Sequence, residues 1–135
     1  MFLLLVLVFI ILNIILAKVD AKKIANNAWI DHKANAVLYA VCIILTIPFA
    51  ALVGELNLIF YAFLVPVLLL VRKITFDISL NVFRGKPWDW ISFSTTSKID
   101  QFENKIFKND GTFKYISYSV LLLSIIKIFL VIYES

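Results

Sequence analysis

The chain has 135 residues, of which 62% are hydrophobic, and its formal net charge is +4 at pH 7. Ordinary soluble domains are roughly 45–50% apolar, and a small soluble domain cannot bury a larger share because most of its residues lie near the surface. The basic residues flank apolar blocks and do not line an aromatic soluble face, which favours anionic lipid headgroups over nucleic acid as their partner. These properties predict an all-α membrane protein in which residues 1–135 form a single transmembrane domain.

Four apolar blocks have the length expected of transmembrane helices. The first would form a helix of about 25 Å, close to the minimum for a hydrocarbon core of about 30 Å. The second and third together would be far too long for one crossing, so Gly54 and Glu55 between them predict a tight turn. The sequence therefore predicts four membrane spans. Their approximate ranges are residues 1–17, 34–53, 56–71 and 113–133.

The basic residues lie almost entirely in two segments that a four-span topology places on one side of the membrane. Four of the thirteen lie in residues 18–33, between the first two spans, and eight more lie in residues 72–114, between the last two. Positively charged loops stay on the cytoplasmic side, so we expect this side to face the cytoplasm and both termini to face outward. The expected location is the inner membrane of a bacterial cell, for a host or a phage protein.

Residues 74–82 alternate between apolar and polar side chains, which fits a strand. A hairpin over residues 74–94 is therefore one interpretation. A helix explains more, because four polar side chains recur every three or four residues and so share one helix face. They are Lys73, Asp77, Asn81 and Arg84. Gly85 then occupies a C-terminal cap position, and Pro87 prevents continuation. We expect the third span to extend as one helix over residues 56–84.

Residues 97–109 carry the pattern of a short amphipathic helix. Ile99, Phe102 and Ile106 share one apolar face, and we expect lysines to form the polar side. These lysines are Lys98, Lys105 and Lys108. The aromatic residues 88–93 precede this helix, as is typical of a membrane interface. We therefore expect the helix to lie on the inner leaflet.

Two stretches after the third span form a distinct pattern. They are RKITFDISLNVFRGKPW at residues 72–88 and TSKID at residues 96–100. The pattern resembles one that recurs in uncharacterised small integral membrane proteins of bacteria and bacteriophages. The resemblance covers residues 72–100, and the rest of the chain is similar to these proteins only in hydropathy. Since no activity is known for them, the resemblance implies a membrane location and assigns no catalytic residue.

Polar residues near the cytoplasmic ends of the second and third spans are the candidate site residues. They are Asp31, His32, Lys73, Asp77, Asn81, Arg84, Lys86 and Asp89. Asp77 and Arg84 are expected to be the electrostatic centre of this half of the protein. An acid beside cations can bind a lipid phosphate or a soluble anion. The alternative is an internal stripe of ion pairs that anchors the third helix in the bundle.

His32 is the only histidine of the chain, and it is the only side chain that would titrate near neutral pH as a proton carrier or serve as an imidazole metal ligand. The more economical interpretation is that Asp31 caps a helix and His32 lies at the interface. The spacing of the acids indicates no metal site, and Cys42, the only cysteine, leaves no disulfide or CxxC pair. We expect no metal and no cofactor.

Two polar residues interrupt the apolar blocks. Asn13 in the first span is expected to form a hydrogen bond between helices. Lys127 in the last span is expected to extend its ammonium group to the outer interface, as long cationic side chains near helix ends do.

The function predicted from these observations is association, with itself or with another membrane protein, without enzymatic activity. One alternative is a small transporter or pore subunit, although the polar residues of the spans are sparse for a continuous path. Another is a lipid-headgroup enzyme at the cytoplasmic interface, using Asp31 with His32 and Asp77 with Arg84. No Walker loop occurs in the sequence, and one histidine does not form a recognisable Ser–His–Asp arrangement, so an enzyme is not favoured.

Overall fold

The computed structural model describes most of the chain, and the described part is mainly helical. The described residues are 2–28, 30, 37–41, 44, 45, 48, 58–92 and 98–134. The helices are α1 (Phe2–Ala25), α2 (Leu58–Phe83), α3 (Lys98–Ile106) and α4 (Gly111–Glu134). The described residues at positions 37–41, 44, 45 and 48 are helical as well. No strand occurs in these ranges, and the prediction of an all-α protein is confirmed.

Three of these helices are long and apolar enough to cross a membrane. Their candidate spans are Leu3–Ala25, Ile59–Phe83 and Gly111–Ile132, of 23, 25 and 22 residues. At 1.5 Å per residue the shortest extends about 33 Å, which exceeds a hydrocarbon core of about 30 Å. These helices fit a multi-pass membrane protein. The other predicted span, residues 34–53, lies largely outside the described residues, so the count of four spans is not confirmed.

α1 continues beyond the apolar block that predicts the first span. The block ends at Ala17, but the helix reaches Ala25, because its added turns consist mainly of good helix formers such as alanine and lysine. It ends in a Schellman cap, in which Asn27 adopts a φ of 53°. There the amide of Ala28 donates to the carbonyl of Lys23 at 2.8 Å. The first helix is therefore long enough to project past the membrane at one end.

α2 is the central helix and packs against both α1 and α4. Its most buried side chains are Leu64, Val67 and Leu68, which expose 0%, 0% and 1% of their surface. Phe60, near the start of α2, contacts Phe129, near the end of α4, with ring centroids 6.1 Å apart. At the opposite end of α2, charged residues join it to the start of α4. The two helices therefore run antiparallel.

Tyr39, in the described helical residues 37–41, packs into the same core and exposes 5% of its surface. Its ring centroid lies 5.9 Å from that of Phe9 on α1 and 6.4 Å from that of Phe76 on α2, both in edge-to-face geometry. The guanidinium of Arg72 lies 4.6 Å from the centroid of the same ring. The segment that carries Tyr39 is therefore part of the bundle.

Asn13 is fully buried on α1. Its Nδ2 donates to the carbonyl of Phe9, one turn earlier in the same helix, at 2.6 Å. Among the described residues its Oδ1 accepts no hydrogen bond. The expected bond between helices is thus replaced, in the described part of the chain, by a bond within α1.

α2 remains helical through residues 74–82, where the alternating sequence would also fit a strand. Gly85 follows the helix with a φ of 68°, and the amide of Lys86 donates to the carbonyl of Asn81 at 2.9 Å. This is the Schellman geometry, in which glycine adopts a left-handed conformation without a Cβ clash. No hairpin forms in the described part of residues 74–94.

α3 and α4 meet at a tight junction that also holds the loop after α2. The carboxylate of Asp110 accepts a hydrogen bond from the amide of Phe113 at 2.9 Å and so caps α4. A Cβ added at Gly111 would stand 1.7 Å from the carbonyl oxygen of Asp89. The residue at this position therefore has to be glycine, and the loop of residues 84–92 lies directly on the start of α4.

Candidate functional site

Five charged side chains from three helices meet where α2 ends and α4 begins. We call them the charge cluster: Lys73, Asp77, Asp100, Glu103 and Lys114. The ammonium of Lys73 lies 3.1 Å from Asp77 on the same helix. It also lies 2.9 Å from Asp100 and 3.0 Å from Glu103, both on α3. Glu103 is shared with Lys114, whose ammonium is 2.7 Å away. The charge cluster therefore ties α2, α3 and α4 together.

Most of the charge cluster is shielded from solvent. The side chains of Lys114, Glu103 and Lys73 expose only 5%, 11% and 17% of their surface. At such low exposure, removal of one partner leaves the other charges poorly compensated. Three carboxylates and two ammonium groups give the cluster a formal charge of −1. Its cations are consequently occupied by its own acids.

Glu103 is the carboxylate that both cations of the cluster approach. Burial alone would raise the pKa of the Glu103 carboxyl. The ion pairs with Lys114 and Lys73 outweigh burial and hold that pKa below its usual value. Glu103 is therefore ionised at neutral pH, and its protonation would weaken the two ion pairs that hold α3 to α2 and α4.

α3 turns its polar face toward the bundle and its apolar face outward. Glu103 and Asn104 are buried, whereas Ile99, Phe102 and Ile106 expose 68%, 65% and 53% of their surface. The three residues that the sequence assigns to the apolar face do lie together on the exposed side of α3. The sequence assigns the polar side to lysines, however, while the polar side that meets the bundle consists of the two acids and an asparagine.

Two buried amide side chains hold the loop of residues 84–92 against the helices. The Nδ2 of Asn81 donates to the carbonyls of Trp88 and Trp90 at 3.1 and 2.8 Å. The Nδ2 of Asn104 donates to the carbonyl of Ser92 at 3.0 Å. Because backbone carbonyls accept these bonds, the loop adopts a defined path rather than extending freely.

The loop places two cations against one indole ring. The guanidinium of Arg84 lies 5.1 Å from the centroid of Trp90, and the ammonium of Lys86 lies 5.7 Å from the same centroid. Both distances are within the range of cation–π attraction. The nearest acid along the chain, Asp89, instead accepts a hydrogen bond from the hydroxyl of Thr112.

A cavity of about 150 Å³ lies between this loop and the charge cluster. It is lined by Asp77, Leu80, Asn81, Arg84, Trp90, Ile91, Ser92, Asp100, Asn104, Lys114 and Tyr115. The cavity is therefore bounded by paired charges on one side and by the guanidinium of Arg84 on the other.

The predicted polar stripe divides into separate parts in the structure. Asp77 lies against Lys73, whereas Arg84 lies against an indole ring and shares no ion pair with Asp77. Asn81 donates to backbone carbonyls of the loop, and Lys86 lies beside Trp90. Asp89 accepts a hydrogen bond from Thr112 on α4. Asp31 and His32 lie outside the described residues.

Three members of the charge cluster were not among the residues predicted from the sequence. They are Asp100, Glu103 and Lys114. The two acids are three residues apart on the predicted amphipathic helix, and such a spacing places both on one face. That spacing is the signal that would have drawn attention to them. Nothing in the sequence shows which face of the helix meets Lys73.

The chemistry that this region offers is electrostatic binding by preorganised cations. Among the residues that the structure describes, no group of three or more His, Cys, Asp or Glu side chains is placed to hold a metal ion. The guanidinium of Arg84, by contrast, lies beside the ring of Trp90 and lines the cavity.

Comparison with known proteins gives no relative of the chain. No protein-family model, no curated protein and no solved structure matches it. The functional inferences below therefore depend on the geometry of the helices and of the site.

Proposed function

We propose that the chain is a non-enzymatic membrane protein that acts by association with itself or with another membrane protein. The observation that carries this proposal is the position of Lys127. Its side chain is exposed on the candidate span Gly111–Ile132, and it forms no ion pair with any described residue. A lysine placed toward lipid in this way gains from a partner outside the chain.

The position of Lys127 along α4 makes exposure to lipid costly. The helix continues for about 10 Å beyond it to Glu134. Side chains lean toward the N-terminus of their helix, so the stem of Lys127 leaves the backbone in the direction away from the nearer helix end. A charged side chain at the centre of a membrane helix costs about 2.5–3.5 kcal/mol on insertion scales. Lys127 lies five residues before the end of its span at Ile132, so its cost is a part of that figure. A polar group on a neighbouring helix offsets part of such a cost, because polar pairs hold membrane helices together.

α4 is also the least covered of the three candidate spans. Of its most apolar stretch 11% is buried inside the chain, compared with 28% for α1 and 33% for α2. Its exposed side carries a shallow groove, which we call the α4 groove. The groove is lined by Ser124, Lys127, Ile128, Val131 and Ile132. A polar centre between branched apolar side chains is a suitable surface for a second membrane helix.

The alternatives are less well supported by the described residues. A headgroup enzyme would use Asp77 as an acid or base, but its carboxylate is paired with Lys73 at 3.1 Å. A pore would need polar side chains along one face of the spans, but Asn13 is fully buried and bonded within its own helix. Association requires neither of these features.

The proposed topology has four spans, with residues 34–53 as the additional span. The described helical residues 37–41, and the packing of Tyr39 against Phe9 and Phe76, support a helix at this place in the bundle. The concentration of basic residues in two segments supports a cytoplasmic location for the charge cluster and an outer location for both termini. The proposed location is the inner membrane of a bacterium.

A photo-crosslinking amino acid at Val131, in the α4 groove, tests the proposal. The full chain would be examined both in cells and, after purification, in lipid nanodiscs. We expect crosslinks to a second copy or to another membrane protein, and we expect Lys127→Leu to reduce them strongly. The matched control is the same amino acid at Leu7 on α1, where the exposed fraction of the native side chain is 53%; it should give no comparable product.

Two results would contradict association through α4. One is the absence of any protein crosslink from position 131 in both settings. The other is an equal yield from positions 7 and 131 that Lys127→Leu does not change. Circular dichroism and the thermal midpoint of each variant would show that the fold is intact in every comparison.

A further inference from the structure

Arg84 and Lys86 are two cations of one loop that lack a carboxylate partner among the described residues. They lie 5.1 and 5.7 Å from the centroid of the same ring, that of Trp90. The ring attracts each cation weakly, but it supplies no full negative charge. Two cations held near one ring repel each other, and an anion bound beside them removes that repulsion.

The acids close to these cations are occupied elsewhere. Asp77 and Asp100, which line the same cavity, lie 3.1 and 2.9 Å from the ammonium of Lys73. The carboxylate of Asp89 accepts a hydrogen bond from the hydroxyl of Thr112. The loop therefore keeps a local positive charge, although the charge cluster beside it is formally negative.

The loop is also held in place before any ligand arrives. Gly85 closes the Schellman cap of α2 between the two cations. Asn81 binds the carbonyls of both Trp88 and Trp90. A binding group that is already positioned loses little conformational entropy when its ligand binds. The backbone that carries the two cations is thus fixed before a ligand binds.

We propose that Arg84 and Lys86, beside Trp90, form a binding site for a phosphate group. The planar fork of an arginine donates two parallel hydrogen bonds to phosphate oxygens, and a lysine adds a second positive charge. Tryptophans are enriched at the depth of lipid headgroups. The phosphate belongs either to a lipid headgroup or to a free phosphate ion. This inference does not depend on association through α4.

Native mass spectrometry of the full chain in mild detergent tests this site. The probes are phosphatidylglycerol and diacylglycerol, which have the same acyl chains and differ in the phosphate-containing headgroup. We expect retention of phosphatidylglycerol over diacylglycerol, and an increase of about tenfold or more in its Kd for the double variant R84Q/K86Q, equivalent to at least one lost charge-assisted contact. Inorganic phosphate is then added at millimolar concentration. Displacement of the lipid identifies a site that also takes free phosphate, and no displacement identifies the lipid headgroup as the ligand.

The matched control is K105Q/K108Q, which removes the same charge from two exposed lysines near the end of α3. Its Kd for phosphatidylglycerol should stay within about twofold of the wild-type value, because these lysines do not belong to the loop that holds Arg84 and Lys86 beside Trp90. The proposal is overturned if R84Q/K86Q binds like the wild-type chain, or if K105Q/K108Q loses as much affinity, since general attraction to anionic lipid would then explain binding.

A conservative variant separates a loss of binding from a loss of the fold. Arg84→Lys keeps the positive charge and the stack on Trp90 but lacks the planar fork. We expect it to retain the wild-type thermal midpoint and to bind phosphatidylglycerol more weakly than the wild-type chain. Wild-type affinity in this variant would overturn the role of the guanidinium fork.

Discussion

The two halves of α2 are held by different forces. In the first half, Leu64, Val67 and Leu68 are buried against apolar neighbours, and Phe60 packs on Phe129. In the second half, the ion pairs of Lys73 join the helix to α3, and Glu103 of α3 pairs in turn with Lys114 of α4. Hydrogen bonds from Asn81 join the same half to the following loop. Close apolar packing thus holds one end of the helix, and ion pairs and hydrogen bonds hold the other.

The difference follows from the surroundings that each half needs. Within lipid, apolar side chains gain little from leaving their solvent, so helices associate through close packing. At the other end, α3 presents an exposed apolar face and a polar inner face. Directional polar contacts hold such a helix to the bundle while its apolar face remains exposed.

Replacement of Lys73 by methionine should have the largest effect. It removes the charge shared by three carboxylates while keeping most of the stem, and loss of one partner from a buried ion pair costs about 3–5 kcal/mol. We expect that loss in the free energy of unfolding, measured by denaturation in mixed detergent micelles. Proteolysis should also release α3 before α1 or α4.

Lys105→Met is the matched control, because Lys105 is exposed on α3. Its free energy of unfolding should change by less than about 0.5 kcal/mol. Similar losses for both lysines would show that the charge cluster contributes no more than general surface charge.

Replacement of Leu64 by alanine tests the apolar half of α2. Its side chain is fully buried, and truncation of a buried leucine costs about 2–5 kcal/mol in soluble proteins. We expect a loss of about 2 kcal/mol, since the unfolded helix is also surrounded by apolar chains and only the packing contribution disappears. Leu69→Ala, at a position 53% exposed, should change the same free energy by far less, and equal losses would contradict the assignment of the core.

Glu103 should make the ion pairs that hold α3 to the bundle sensitive to acid. Because its pKa is lowered in the folded protein, the unfolded state binds more protons in this range, and stability falls as pH decreases. The contribution is present above the unfolded pKa and is lost as pH drops through the folded pKa. The thermal midpoint of the wild-type chain should therefore fall more steeply below about pH 5 than that of Glu103→Gln. If the thermal midpoints of the two proteins fell in parallel with pH, Glu103 would not be the residue whose ionisation holds α3 to the bundle.

Thr75→Ala should have the smallest effect. The hydroxyl of Thr75 donates only to the carbonyl of Val71 in its own helix, at 2.6 Å, and such back-bonding adds little to helix stability. The free energy of unfolding should change by less than about 0.5 kcal/mol. Asp77→Ala, two residues away, removes a direct partner of Lys73 and should cost more. Equal effects would show that the charged stripe is merely a solvated face.

Local sequence rules were sufficient for much of the C-terminal end of α2. Gly85 and Pro87 predict where the helix stops, and the structure ends it at Phe83. The spacing of Lys73 and Asp77 predicts a pair on one face, and these two residues do form an ion pair. Both features arise within a single helix turn or cap, where spacing along the chain determines distance in space.

Contacts between helices were beyond the same rules. The amphipathic pattern predicts α3 but not that Glu103 faces inward to both lysines. The partners of Asn81 are backbone carbonyls of a loop, and no side-chain pattern encodes a carbonyl position. The number of spans stays a prediction, because residues 34–53 are described only in part.

The arrangement around Lys73 also fixes an order of events during synthesis. Asp77 follows it by one helical turn and can pair with it as soon as α2 forms. Asp100 emerges 27 residues later, and Lys114, which completes the pairing of Glu103, belongs to the last helix described. A ribosome that has finished α2 has therefore made a helix whose lysine has only one of its three carboxylates. The junction closes only when the first turn of α4 has been made, so Glu103 lacks its second cation until Lys114 has been translated.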